Sequence, residues 1–139
     1  MLPDTVLLIL CLYALLTAGL VAVVFAYRST HVMLRRAPAN VWPRSQPAAE
    51  PALVQRAHDA HKNCVETFPL WLVALLVLSH DPTRLEAWAW LLPPLFTLRL
   101  AQSLTHLLGT SPALVFLRGL FFAGQLLGLG AIVALAVWA

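Results

Sequence analysis

Three ionisable side chains lie inside otherwise apolar stretches of the sequence: Glu66, Arg99 and Arg118. A charge that faces lipid costs about 2.5 to 3.5 kcal/mol on membrane-insertion scales, so each of these residues needs a partner or water. One carboxylate opposite two guanidiniums leaves uncompensated positive charge, and guanidinium forks bind anions through paired hydrogen bonds. These residue types therefore indicate a site for an anionic ligand.

A salt bridge between Glu66 and Arg99 that merely joins two helices is the alternative interpretation. Buried ion pairs often serve specificity rather than chemistry. The second arginine, Arg118, has no carboxylate left to pair with in this scheme, and it favours the ligand site.

Helical spacing places further polar residues on the faces that carry these charges. Asn63 precedes Glu66 by three residues, and Gln102 and His106 follow Arg99 by three and seven. Residues at such spacings share one face of a helix. Counted at helical rise from the predicted outer ends, Glu66 and Arg99 both lie about 20 Å deep. We therefore predict that polar stripes from several helices face one cavity, which opens toward the cytoplasm.

The elements that carry these stripes follow from hydropathy. The 139 residues are 60% hydrophobic and 11% charged, with a mean hydropathy of +0.80, which excludes an ordinary soluble domain. Four apolar stretches predict an all-α, integral membrane protein, an antiparallel four-helix bundle in a single domain. The predicted helices cover about 5–27, 51–79, 86–108 and 113–138, with a kink in the third at Pro93 and Pro94.

Basic residues concentrate in the first connecting loop, residues 28–50, which holds Arg28, Arg35, Arg36 and Arg44. By the positive-inside rule this loop is cytoplasmic, and both termini lie outside. The formal charge of +3 fits such a loop better than a nucleic-acid partner, because no basic helix or aromatic-interleaved patch is present. The cysteine and histidine spacings indicate no metal site.

A family resemblance begins in the predicted second helix. The stretch RAHDAHKNCVETFP, residues 56–69, resembles the helix 2 signature of the MAPEG proteins, the membrane-associated proteins of eicosanoid and glutathione metabolism. Arg99, and Arg118 with the GLFFAG that follows it, extend the resemblance over nearly the whole chain. It implies a homotrimer of four-helix subunits, with glutathione bound between neighbours in the cytoplasmic half of the membrane.

The resemblance also implies roles for single residues. Arg118 would stabilise the glutathione thiolate, and the tripeptide would be held by Asn63, Glu66 and Arg99. Further ligand positions are matched more loosely: Lys62 stands where an arginine is frequent, Gln102 and His106 stand at polar or aromatic positions, and Arg28 and Arg35 compete for one basic position in helix 1.

The implied function is a glutathione-dependent transferase or peroxidase, which acts on lipophilic electrophiles or lipid hydroperoxides that arrive through the membrane lipids. Phe122 and His106 stand where relatives often carry tyrosine, and Gly119 replaces a serine. These departures favour a non-catalytic lipid-binding or scaffold protein as the alternative. A four-helix multidrug transporter fits poorly, because such transporters carry their key glutamate in helix 1, and the predicted helix 1 of this chain has no charged residue. The Ala-, Leu- and Arg-rich composition favours a bacterial inner membrane.

Overall fold

The computed structural model describes residues 4–42 and 50–138, and every regular element in these two ranges is helical. The elements are α1 (Asp4–Met33), α2 (Ala52–His80), α3 (Pro82–Trp88), a 3₁₀ turn (Ala89–Leu91), α4 (Leu92–Leu108) and α5 (Pro112–Trp138). The predicted all-α class is confirmed. Arg44 and the rest of 43–49, which belong to the predicted cytoplasmic loop, lie outside the described residues.

Three of these helices, α1, α2 and α5, are long and apolar enough to cross a membrane. Helix α1 continues to Met33, beyond the predicted end at residue 27, so Arg28 is a helical residue. Its 30 residues extend over about 45 Å, the thickness of a bilayer with its headgroup layers.

The third predicted span is divided, in contrast to the continuous helix expected from hydropathy. Helix α4 has 17 residues, which at helical rise cover about 26 Å, less than the apolar layer of a bilayer. Pro93 and Pro94 lie in its first turn, where a missing N–H removes no helical hydrogen bond. The two prolines therefore begin a new helix after the 3₁₀ turn instead of bending one long helix.

Cross-helix contacts establish the antiparallel order. The hydroxyl of Tyr13 in α1 donates to the carbonyl oxygen of Cys64 in α2 at 2.7 Å, and Arg28 pairs with Glu50 just before α2. The pairing partner thus moves backward along α2 as the chain advances along α1. Helices α4 and α5 show the same order, because Gln102 bonds Gln125 whereas the later His106 bonds the earlier Arg118.

The two ends of the bundle differ in composition. We call the end where α1 and α4 finish and α2 and α5 begin the loop end. The main apolar core lies toward the opposite end, where Trp71 packs against Tyr13 and Phe96 with ring centroids 5.5 and 6.5 Å apart. The polar side chains from inside the spans lie between this core and the loop end, so the apolar core packs against them on the side away from the loop end.

A tight turn closes α1 at the loop end. The N–H of Arg36 donates to the carbonyl of His31, and the N–H of Arg35 donates to that of Val32. This is the Schellman arrangement, which needs a left-handed residue after the helix. Arg35 fills that position with φ 55°, where glycine is usual.

Candidate functional site

Arg99 forms the centre of a buried polar network. Its side chain has no solvent-exposed surface, and its Nη1 donates to Asn63 Oδ1 at 2.8 Å and to Gln102 Oε1 at 3.0 Å. The ring of Tyr13 lies 5.7 Å from the guanidinium carbon, close enough for a cation–π contact. Both hydrogen-bond acceptors are neutral amides, so the positive charge is solvated by dipoles without being neutralised.

Gln125 extends this network to a third helix. Its Nε2 donates to Gln102 Oε1 at 2.9 Å and to the carbonyl of Phe121 at 3.0 Å. One amide oxygen, that of Gln102, therefore accepts from both Arg99 and Gln125. Asn63, Arg99, Gln102 and Gln125 form what we call the amide network, which joins α2, α4 and α5.

Two atoms of the amide network have no hydrogen-bond partner among the described residues: Arg99 Nε and Gln125 Oε1, both fully buried. Buried polar atoms are nearly always paired. Each unpaired one carries a desolvation cost of about 1 to 3 kcal/mol. The network thus keeps one unused donor and one unused acceptor next to an uncompensated charge.

Glu66 does not pair with Arg99 within the described ranges, so the alternative of a simple salt bridge between α2 and α4 is wrong. Asn63, which lies almost one turn earlier on α2, occupies the position next to the guanidinium instead. Glu66 and Lys62 are exposed and line a cavity of about 450 Å³ on the outer surface of α2. Within the described residues, Glu66 therefore faces this surface cavity and not the buried guanidinium of Arg99.

Arg118 lies in the second turn of α5 and contacts the last turn of α4. Its Nη1 is 3.0 Å from His106 Nδ1, and the arginine is half-buried. This is the one hydrogen bond that Arg118 makes within the described part of the chain. The remaining guanidinium N–H groups are left for another acceptor.

The two basic residues that compete for a place in helix 1 have different environments. Arg28 binds the carboxylate of Glu50 through both oxygens, at 2.7 and 3.2 Å, and its guanidinium carbon lies 5.8 Å from the ring centroid of Trp42. Glu50 is buried, whereas Arg35 is exposed at the end of α1. Neither arginine contacts the amide network.

A model of the MAPEG family matches residues 6–138, nearly the whole chain. The chain belongs to the MAPEG family. No curated protein and no solved structure matches it. Membership makes the chain an integral membrane protein, and MAPEG proteins typically use glutathione.

In this MAPEG chain, sequence reasoning missed two contributors to the site, Tyr13 and Arg56. Tyr13 supplies a ring beneath Arg99, and its hydroxyl also pairs with Thr67 Oγ1 at 2.9 Å. Arg56 donates to the carbonyl of Leu107 at 2.9 Å and so satisfies one of the free carbonyls at the C-terminus of α4. Gln125 follows Arg118 by seven residues and so shares its face of α5, but this spacing does not predict the bond of Gln125 to Gln102. A lone tyrosine in the middle of an apolar helix was the available signal for Tyr13.

Chemically, the MAPEG site offers cationic and amide donors in a poorly solvated setting. Charge interactions strengthen in such surroundings, because little water screens them. A thiol that enters near Arg118 would ionise more readily, since a nearby guanidinium favours the thiolate. Within the described residues, no group of three or more His, Cys, Asp or Glu side chains could hold a metal ion.

Proposed function

We propose that this MAPEG protein is a glutathione-dependent membrane transferase or peroxidase. It joins the glutathione thiolate to a lipophilic electrophile or reduces a lipid hydroperoxide. The observation that carries the proposal is the pair of guanidiniums, Arg99 and Arg118, which form no ion pair within residues 4–42 and 50–138. A ligand with two carboxylates and a reactive thiolate supplies the missing negative charge.

Each group has a role in this proposal. Arg118 stabilises the thiolate, because one of its N–H groups is bound to His106 and the others are available. Arg99 is fully enclosed, so it contributes positive potential and orients the carboxamide of Asn63 toward the tripeptide. Glu66 and Lys62, which are exposed, provide an acceptor for the ammonium group and a donor for a carboxylate.

The open position of Glu66 and Lys62 supports a homotrimer in which a neighbouring subunit closes the site. The lipophilic substrate enters from the bilayer along an apolar groove of about 380 Å³ between α1 and α2, which Ala14, Val21, Val65 and Phe68 help to line. We place the protein in a bacterial inner membrane with loop 28–50 cytoplasmic and the termini outside. The basic residues of this loop support that orientation.

Thermal unfolding in detergent tests the proposal. Millimolar glutathione should raise the melting temperature of the wild type, and S-methylglutathione should do so too. Arg118→Ala should abolish conjugation of glutathione to a lipophilic electrophile but keep stabilisation by S-methylglutathione, which has no thiolate to stabilise. Arg84→Ala, in α3 at the opposite end, is the matched control. No shift of the wild type with either ligand would overturn the proposal.

A non-catalytic lipid-binding or scaffold role is the second candidate. Phe122 lies one turn after Arg118 and brings no hydroxyl to the site, and the groove between α1 and α2 is apolar. Stabilisation by fatty acids or phospholipids, together with no response to glutathione and no conjugation, would favour this role.

A further inference from the structure

The hydrogen bond between Arg118 and His106 determines the state of the imidazole. A guanidinium only donates hydrogen bonds, so the Nδ1 atom of His106 must accept with its lone pair. The ring proton then lies on Nε2, and the ring is neutral. An imidazolium could not accept this bond and would oppose the guanidinium as a like charge.

Little else restrains the guanidinium of Arg118. Among the described residues His106 is its one hydrogen-bond partner. A long arginine side chain that is only half-buried samples several rotamers unless a contact selects one. His106 supplies the contact that selects one direction for the fork.

His106 is well placed to hold this direction. It lies in the last turn of α4, next to Leu107, whose carbonyl is fixed by Arg56. The charged groups near the imidazole are Asp59 on α2, Arg99 on α4 and Arg118 on α5. Of these three, Arg118 alone is hydrogen-bonded to it.

The geometry points to His106 as a positioning residue, one that holds the Arg118 guanidinium where the thiolate of bound glutathione lies, and not as a ligand of the tripeptide. This inference rests on the proposed function. With Arg118 free to turn away, the tripeptide would still bind, but its thiol would be a weaker nucleophile. Misplacing a catalytic group by about 1 Å can cost about a hundredfold in rate.

Two substitutions separate positioning from ligand binding. His106→Asn keeps an acceptor, because its Oδ1 can take the place of Nδ1, whereas His106→Phe keeps a ring but has no acceptor. We expect His106→Phe to lower kcat for conjugation about ten- to a hundredfold. His106→Phe should bind S-methylglutathione as tightly as the wild type does. His106→Asn should recover most of the wild-type kcat for conjugation. His80→Phe, at the exposed end of α2, is the control.

Nuclear magnetic resonance of ¹⁵N-labelled histidine provides a readout that does not depend on glutathione. The resonances absent from His106→Phe identify His106, and they should report a proton on Nε2 and a bare Nδ1, a pattern that Arg118→Ala perturbs. A proton on Nδ1, a His106→Asn variant as slow as His106→Phe, or a large loss of S-methylglutathione binding in His106→Phe would overturn the inference. If glutathione does not stabilise the wild type but His106 carries its proton on Nε2, the proposed function is refuted and the contact between His106 and Arg118 is still established.

Discussion

Adding one methyl group at Gly128 of α5 tests how closely α4 and α5 pack. A Cβ there would overlap Leu95 Cδ2 and lie 3.2 Å from its Cδ1 and 3.3 Å from its Cγ. Leu95 is buried in the apolar core, so it has little room to move. Overpacking of this kind costs about 1 to 3 kcal/mol.

Gly130, two residues further along the same helix, is the matched control, because a Cβ there would meet nothing within 4 Å. Both replacements by alanine gain the same helix propensity, about 0.8 to 1.0 kcal/mol. Their difference therefore isolates the contact with Leu95. We expect Gly128→Ala to be less stable than Gly130→Ala by about 1 to 3 kcal/mol.

Reversible unfolding in mixed micelles measures this difference, and a double-mutant cycle with Leu95→Ala identifies its source. Leu95→Ala alone should destabilise by about 2 to 5 kcal/mol. In the Leu95→Ala background, Gly128→Ala should no longer lower the stability, because the leucine side chain that its Cβ overlaps has been removed. Equal stabilities of Gly128→Ala and Gly130→Ala, or additive effects of Gly128→Ala and Leu95→Ala, would refute the packing described for α4 and α5.

Three further predictions concern single side chains, each measured by unfolding. Tyr13→Phe should destabilise the protein by about 0.5 to 1.5 kcal/mol, because it loses the hydrogen bonds of the hydroxyl. The control is Tyr27→Phe, whose hydroxyl has no partner among the described residues and which should stay within about 0.5 kcal/mol of the wild type. Equal effects of the two substitutions would contradict the role of Tyr13. Arg35→Gly should stabilise by about 0.5 to 1 kcal/mol, because glycine adopts φ 55° without strain, and a destabilised variant would refute the strained turn. The N–H of Thr83 donates to Asp81 at 2.9 Å and lowers the pKa of that carboxyl below its ordinary 3.8. The ionised carboxylate therefore stabilises the folded protein fully above pH 3.8. This stabilisation is lost as the pH falls through the lowered pKa that Asp81 has in the folded state. Asp81→Asn should therefore remove this acid dependence, and an unchanged acid limb would contradict it.

Hydropathy and helical periodicity were enough to predict the helical membrane class, because both depend on residue type and spacing alone. The same periodicity put Arg99 and Gln102 on one face, where they share a hydrogen bond. The partner of Arg99 was not predictable in this way. Asn63 and Glu66 lie on the same face of α2, and the rotation and depth of that helix against α4 decide which of them reaches the guanidinium.

Contacts between residues on either side of a loop were likewise not predictable from the sequence. Arg28 and Glu50 are separated by a loop, and their pairing depends on how far α1 continues past residue 27. Pro93 and Pro94 marked an irregular third span, but both a kink and a helix start are compatible with proline. The 3₁₀ turn before Leu92 decided for a helix start.

The short α4 has a consequence for how the chain enters its membrane. With 17 residues and a central arginine, this helix is a poor substrate for insertion by itself, since an arginine at mid-membrane costs about 2.5 to 3.5 kcal/mol. One of the two amides that solvate the arginine is Asn63 of α2, which is synthesised before α4. The other is Gln102 of α4 itself, and it is bonded by Gln125 of α5, which is synthesised after α4. We therefore expect α4 and α5 to leave the translocon together as a hairpin, so that α4 reaches its position in the membrane only after α5 has emerged from the ribosome.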